Sequence, residues 1–163
     1  MSKYKEMNSF IKEISKMICD NQTICKLLHY NTPDALLKPD LEDAAETLLN
    51  KKILFCNSVP GDDEAISTLS IVMTNIKNDG KNPYIRGYRI VFTILVHSSL
   101  YVLNEGDLRV VGIMSELDDM FNLVHNKTSL KKMNRFLDEG AYQTWASNEY
   151  NGYTLNYSTM NRT

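Results

Sequence analysis

The chain has 163 residues, of which 43% are hydrophobic and 23% charged, and its formal net charge is −2 at pH 7. These values are typical of an ordinary folded domain and exclude a disordered chain, a collagen-like repeat and a coiled coil. A slightly negative chain is also a poor candidate for a protein whose main task is to neutralise nucleic-acid phosphates.

The first third of the chain predicts helices, in a region spanning residues 1–52. Apolar residues recur there at three- and four-residue spacing, which is the period of one helix face. A first stripe begins at Met7 and ends at Ile18, and a shorter one covers Ile24–Leu28. A third pattern, Leu41–Leu49, follows acidic residues and precedes two lysines, an order of charges that suits the helix dipole.

The middle third, residues 53–97, changes to the period of strands. Ile53–Cys56 predicts a short apolar strand, and the β-branched residues from Thr68 to Ile76 predict a second. In the third strand, alternate apolar residues lie on one face: Tyr88, Ile90, Phe92, Ile94 and Val96. Because the intervening positions are also largely apolar, we expect this strand to be central and covered on much of both faces.

The last third predicts a long helix over residues 107–126 and a hairpin over residues 141–160. The dipeptide Asn151-Gly152 between aromatic and β-branched flanks is a strong turn signal. We therefore predict a single α+β domain, residues 1–163, with a mainly antiparallel sheet of four to five strands. An N-terminal helix and the long central helix are expected to pack on this sheet, and the hairpin to complete it.

The potential metal ligands are widely separated in the sequence. Neither the histidines (His29, His97 and His125) nor the cysteines (Cys19, Cys25 and Cys56) show a metal-binding spacing. We expect no metal, no cofactor and no disulfide, and three cysteines that act as small apolar side chains in a reducing compartment.

Catalytic motifs are also absent from the sequence, and we expect the protein not to be an enzyme. His97-Ser98-Ser99 lacks the Gly-x-Ser-x-Gly elbow of serine hydrolases. The carboxylates of Glu116, Asp118 and Asp119 are typical of a solvated helix face. Catalysis would require His97, Ser99 and an acidic side chain to meet in a pocket.

The aromatic residues of the tail suggest a contact surface. Five rings crowd a segment with few charges: Tyr142, Trp145, Tyr150, Tyr153 and Tyr157. Tyrosine and tryptophan with little charge are typical of the centre of a protein interface. The alternative is that these rings complete the domain's own sheet.

Three segments resemble the tail terminator proteins of tailed bacteriophages: Lys52–Pro60, Arg86–His97 and Leu108–Phe121. With the N-terminal helix and the closing hairpin, this resemblance in element order covers about residues 5–160. It implies a structural virion protein in the tail or neck, assembled in the host cytoplasm. Such a protein forms a ring, usually hexameric, that caps the tail tube, ends tube polymerisation and joins the tail to the head connector.

The resemblance implies four partners: further copies of the chain, the tail tube protein, a head-side connector or stopper, and DNA that slides through the ring without sequence-specific binding. No membrane is expected, because the longest apolar run, Ile90–Val96, is far shorter than a span of ~20 residues. We also expect no secretory signal, since no apolar run follows the first residues.

The expected contact elements are two loops, residues 60–66 and 77–85, and the hairpin tip near residues 150–153. Their candidate contact residues are Asp62, Asp63, Glu64, Asn82, Tyr84, Tyr150, Asn151 and Tyr153. Two alternatives stay open. One is a head-side stopper or neck adaptor, and the other is a small non-viral dimeric adaptor that binds its partners through the Tyr-rich hairpin.

Overall fold

The computed structural model describes residues 3–78, 85–122 and 133–162. Four α-helices are described: α1 (Lys3–Asp20), α2 (Gln22–His29), α3 (Ala44–Leu48) and α4 (Arg109–Asn122). Five strands are described: β1 (Ile53–Leu54), β2 (Ser67–Asn78), β3 (Ile85–His97), β4 (Met133–Trp145) and β5 (Tyr150–Arg162). Two short 3-10 turns lie at Ala35–Leu37 and Ser98–Leu100.

The strands form one sheet in the order β1-β2-β3-β5-β4. The short β1 runs parallel to β2, whereas every other neighbouring pair is antiparallel. The predicted α+β domain with a mainly antiparallel sheet is confirmed, and β3 is central, between β2 and β5. Among the described helices, none combines the length and the apolar character that crossing a membrane requires.

The core lies between one face of this sheet and the helices. All five alternating apolar residues of β3, from Tyr88 to Val96, are buried. They meet the apolar stripe of α4, whose buried members are Val110, Ile113, Leu117 and Phe121. On the opposite face of β3, Leu95 is buried while Val91 and Thr93 are half-buried, so this face is the less covered one.

Two predicted helices are shorter in the structure. The pattern Leu41–Leu49 forms a helix only over Ala44–Leu48, because Leu49 is extended and Asn50 has a φ of 59°. The chain therefore leaves the helix before its predicted end. The predicted helix 107–126 begins at Arg109 and is described to Asn122, and its remaining residues, with His125, lie outside the described ranges.

The predicted Asn151-Gly152 turn is wrong. Both residues lie inside β5, opposite Val96 and Leu95 of β3, and neither has a positive φ. The hairpin turn is instead at residues 146–149. Gly152 serves a different purpose: a Cβ at this position would collide with the backbone carbonyl of Ile94. The glycine is required for the close approach of two central strands, and not for a turn.

We expect Gly152→Ala to lower the free energy of unfolding by about 1–3 kcal/mol, because β3 and β5 must separate to admit the methyl group. Urea unfolding measures this change. The matched control is Gly61→Ala, since Gly61 has no atom within 4 Å of an added Cβ; its change is expected to stay within about 0.5 kcal/mol. Equal stability of the two variants would contradict this account of Gly152.

Candidate functional site

One end of the sheet is formed by an acidic loop (residues 60–66) that lies against the hairpin turn (residues 146–149). The Ser147 hydroxyl donates a hydrogen bond to Asp62 Oδ1 at 2.6 Å. The Tyr150 hydroxyl donates to the carbonyl of Glu64 and accepts from the Ile66 amide at 3.4 Å. These bonds hold loop and turn together as one surface, which we call the tip surface (residues 60–66 and 146–149).

The three predicted acidic contact residues lie on the tip surface. Asp62, Asp63 and Glu64 are all exposed. The hairpin turn binds the carboxylate of Asp62, whereas Glu64 contributes its backbone carbonyl. The loop therefore presents negative charge to solvent on a backbone that the hairpin holds in place.

Tyr150 is part of the domain interior and not of the surface. Its side chain is fully buried, and its ring packs edge-on against His97 at a centroid distance of 5.3 Å. This burial is the main reason why the pKa of the Tyr150 hydroxyl is raised. The side chain is thus unavailable for the direct partner contact that the sequence suggested. The strand register that pairs Tyr150 with His97 places it there.

The other predicted contact residues divide into two groups. Asn151 and Tyr153 are half-buried on β5, and Tyr153 packs against the hydrophobic core. The predicted contacts Asn82 and Tyr84, in the loop 77–85, lie outside the described residues. Of the eight candidates, the structure therefore brings together the three acids and Tyr150, with Tyr150 as the internal support of their loop.

Two aromatic residues of β4 are more exposed than Tyr150 and Tyr153, the tyrosines of β5 that were predicted to contact a partner. Tyr142 is 57% exposed and Trp145 is 71% exposed, directly before the hairpin turn. Both were noted in the sequence as members of the aromatic segment. The spacing of the aromatic residues along the sequence does not show which rings are exposed. Tyr142 and Trp145 are exposed because β4 is an edge strand of the sheet, which the sequence does not reveal.

His97, Ser99 and Glu149 also meet beside the tip surface. The Ser99 Oγ lies 2.8 Å from His97 Nδ1, and the Glu149 carboxylate lies 3.7 Å from His97 Nε2. The Ser99 backbone amide donates to the same Nδ1 at 3.2 Å, so that nitrogen acts as an acceptor and caps the Ser98–Leu100 turn.

A structural role accounts for this cluster. Ser99 is exposed to solvent, and its Oγ shares His97 Nδ1 with its own backbone amide. Ser98 donates from its amide and its hydroxyl to Glu149, at 2.8 and 2.7 Å. The cluster thus connects the end of β3 to the hairpin turn and helps to fix the tip surface.

Arg109, at the start of α4, is a buried cation that the sequence analysis did not single out. Its guanidinium donates to the carbonyls of Leu27 and Thr32, both at 2.6 Å, and to those of Tyr30 and Leu100, both at 2.9 Å. Three of these carbonyls belong to the C-terminal end of α2 and the segment after it. The side chain therefore satisfies backbone acceptors that a helix end leaves unpaired.

Lys52 completes the same helix end. Its ammonium donates to the carbonyls of Leu28 and His29 and to the Asn31 side chain, at 2.8, 2.9 and 3.1 Å. Burial, and secondly the charge of Arg109, lower the pKa of Lys52 to about 8. The two cations connect α2 with β1 and α4 and hold the helical layer behind the sheet.

This lowered pKa makes the stability of the domain dependent on pH. Between about pH 8 and pH 10, the unfolded chain binds more protons at Lys52 than the folded chain, so the contribution of this group to the free energy of unfolding rises with pH. We expect the free energy of unfolding of the wild type to rise relative to that of Lys52→Met as the pH is raised from about 8 to about 10. Urea unfolding of both proteins at about pH 8 and about pH 10 measures this change. The same pH dependence of stability in both proteins would contradict the lowered pKa of Lys52.

The described part of the chain contains no group of three or more His, Cys, Asp and Glu side chains placed to hold a metal ion. Its cysteines are free: Cys19 and Cys25 are buried and Cys56 is exposed. The pKa of Cys25 is raised to about 12, mainly by burial, so its thiol stays protonated at neutral pH.

The sequence comparison identifies the family. The chain matches the YomW family over residues 21–159, from the start of α2 almost to the end of β5. No curated protein matches the chain. YomW is a phage-derived family name, which is consistent with a phage protein. Because the match covers well over half of its length, the chain belongs to the YomW family.

Proposed function

We propose that the protein is a non-catalytic structural component of a phage virion, located in the tail or neck. In this role it forms a ring, hexameric by the resemblance, that caps the tail tube, ends tube polymerisation and joins the tail to the head connector. The phage-derived family name and the resemblance to tail terminator proteins support the proposal.

The observation that carries this proposal is the tip surface. Its three acidic residues are exposed, while Ser147 and the buried Tyr150 hold their loop in one conformation. A surface that is ordered before binding loses little conformational entropy when a partner docks, which suits a protein that must recognise one defined end of a tube. The net charge of −2 also favours a channel to which DNA does not stick.

The direct test adds the purified protein to tail tube protein that is polymerising. We expect the tubes to stop growing and to carry additional density at one end in negative-stain electron micrographs. Tubes that reach the same length distribution with and without the protein would contradict the proposal.

Charge reversal on the tip surface tests which residues dock. We expect Asp63→Lys with Glu64→Lys to abolish tube capping while the melting temperature changes little, because both side chains are exposed and the Ser147–Asp62 bond that anchors the loop is kept. The matched control is Glu42→Lys with Asp43→Lys, which reverses another adjacent pair of exposed acids outside the tip surface. Unchanged capping by the first variant, or equal loss in both, would remove the acidic loop from the docking surface.

The two alternatives make different predictions for the same surface. A head-side stopper or neck adaptor would bind purified connectors and leave tube growth unchanged. A dimeric adaptor is favoured by the exposed rings of Tyr142 and Trp145, since exposed aromatic residues are frequent in protein interfaces. Such an adaptor would remain a dimer at every concentration and would neither cap tubes nor form rings.

A further inference from the structure

The last five residues of β4, residues 141–145, form an unprotected sheet edge. Among the described residues, β4 has a strand partner on one side only. Two register shifts interrupt its pairing with β5 before Ala141, whereas from Ala141 to Trp145 the register is regular. This segment has no charge, proline or glycine, although natural edge strands are usually protected by such features.

A hydrogen bond at the hairpin turn indicates which backbone groups of this segment face the open side. The Ala146 amide donates to the Tyr150 carbonyl at 3.0 Å, so the backbone groups of Ala146 point toward β5. In an antiparallel ladder this direction alternates, so those of the residues two and four positions earlier also point toward β5. The amides and carbonyls of Ala141, Gln143 and Trp145 therefore face outward, and all three residues are exposed.

The side chains of this segment are arranged for contact on both faces of the sheet. Tyr142 and Trp145 are three positions apart and therefore point to opposite faces. They are among the most exposed large hydrophobic side chains described, at 57% and 71%. An added strand would cover both rings and also pair with the backbone between them, which is the pattern of β-strand addition.

The segment is complementary to itself when two copies run antiparallel with Gln143 opposite Gln143. Every outward-facing residue then meets another one, because Ala141 of each copy lies opposite Trp145 of the other. The small alanine leaves room for the indole ring on one face, and Tyr142 lies opposite the shorter Thr144 on the other face. Each glutamine amide can donate to and accept from its own copy, and no two like charges meet within the segment.

We infer that two copies of the free protein pair through residues 141–145, antiparallel about a two-fold axis at Gln143, and so form one continuous sheet. A contact of this kind uses the same surface on both copies and closes at a dimer. It pairs the outward-facing backbone groups and covers both exposed rings. The inference goes beyond the proposed function, because it concerns the protein before it docks.

The pairing has a consequence for the tip surface. The two β4 strands run antiparallel and each leads into its own hairpin turn, so the two tip surfaces lie at opposite ends of the shared sheet. They cannot both dock on one tube end. In the proposed function, on which this step rests, the dimer therefore holds its subunits out of the ring until the β4 contact opens.

Cysteine cross-linking tests the register in the full chain, with the exposed Cys56 replaced in Cys56→Ser. Residues paired by hydrogen bonds in an antiparallel ladder have Cα atoms about 5.5 Å apart, which a disulfide can span. Adding Gln143→Cys is therefore expected to give a covalent dimer, and no larger species, after mild oxidation. The matched control is Tyr142→Cys, which is expected to stay monomeric on the same gel because Tyr142 lies opposite Thr144.

Light scattering in the absence of tubes measures the pairing without a cross-link. We expect the wild type to be a dimer and Gln143→Lys to be a monomer at the same concentration, because two ammonium groups would meet on the axis. The matched control is Asn57→Lys, which adds the same charge at an exposed loop position and is expected to remain a dimer. Both variants are expected to keep the melting temperature of the wild type.

The outcomes separate this inference from the proposed function. A wild type that is monomeric at every concentration, an oligomer that survives Gln143→Lys, or the absence of a Gln143→Cys dimer would overturn the pairing. Failure of the wild type to cap tubes would reject the proposed function and leave the pairing standing. We expect the cross-linked Gln143→Cys dimer to leave tube ends bare until it is reduced, and equal capping before and after reduction would overturn its role in holding subunits out of the ring.

Discussion

Replacing Arg109 by Met is expected to lower the free energy of unfolding by about 3–5 kcal/mol. The guanidinium is fully buried and donates to four carbonyls, three of them at or just after the end of α2. Met fills a similar volume but leaves these acceptors buried and unpaired. The loss of several charge-assisted bonds outweighs the benefit of removing one buried charge, because each stranded acceptor carries its own desolvation cost.

Two further variants make this prediction specific to the four bonds. Arg109→Lys is expected to recover only part of the loss, since an ammonium lacks the planar fork that reaches four acceptors. The matched control is Arg89→Met, which breaks the partly exposed Arg89–Glu139 ion pair at 2.6 Å and is expected to change stability by less than about 1 kcal/mol. Urea unfolding measures all three. A loss at Arg109 as small as that at Arg89 would contradict the capping role.

Phe92→Ala is expected to cost about 3–5 kcal/mol, because it opens a cavity in the centre of the core. Phe92 is fully buried in β3, and its ring centroid lies 5.0 Å from that of Phe121 on α4 and 5.9 Å from that of Tyr157 on β5. Its removal therefore weakens the contact of the long helix with two strands.

The control for Phe92 is Leu37→Ala, since Leu37 is 81% exposed and its truncation is expected to stay within about 0.5 kcal/mol. Phe121→Ala is expected to resemble Phe92→Ala, because Phe121 lies on the other side of the same contact and is 2% exposed. A loss below about 1 kcal/mol for Phe92→Ala in urea unfolding would show that the core lies elsewhere.

The elements with regular period were predictable from the sequence, because burial on one face imposes that period. The alternation from Tyr88 to Val96 identified the central strand, and the stripe that includes Leu117 and Phe121 identified the long helix. The hairpin itself was also predicted, but its turn was misplaced by a few residues. Asn-Gly is a turn signal only where both residues need a positive φ, whereas Gly152 is needed for close strand packing.

The candidate site was less predictable, because it depends on contacts between distant parts of the chain. The acidic loop was identified as exposed, yet its attachment through Ser147 and Tyr150 joins residues that are more than 80 positions apart. Arg109 had no distinguishing pattern, and Lys52 was expected to complement the dipole of the Leu41–Leu49 helix, whereas its ammonium binds carbonyls at the end of α2. Their role as caps becomes visible only in the structure, where both side chains donate to carbonyls at the end of α2.

Light scattering after size exclusion, with negative-stain images of the same peak over a range of concentrations, tests the ring most directly. The account predicts a closed ring with an open centre, in the purified protein or once tail tubes are added. A particle that remains a monomer or a dimer at every concentration, and that leaves added tube ends bare, would contradict it.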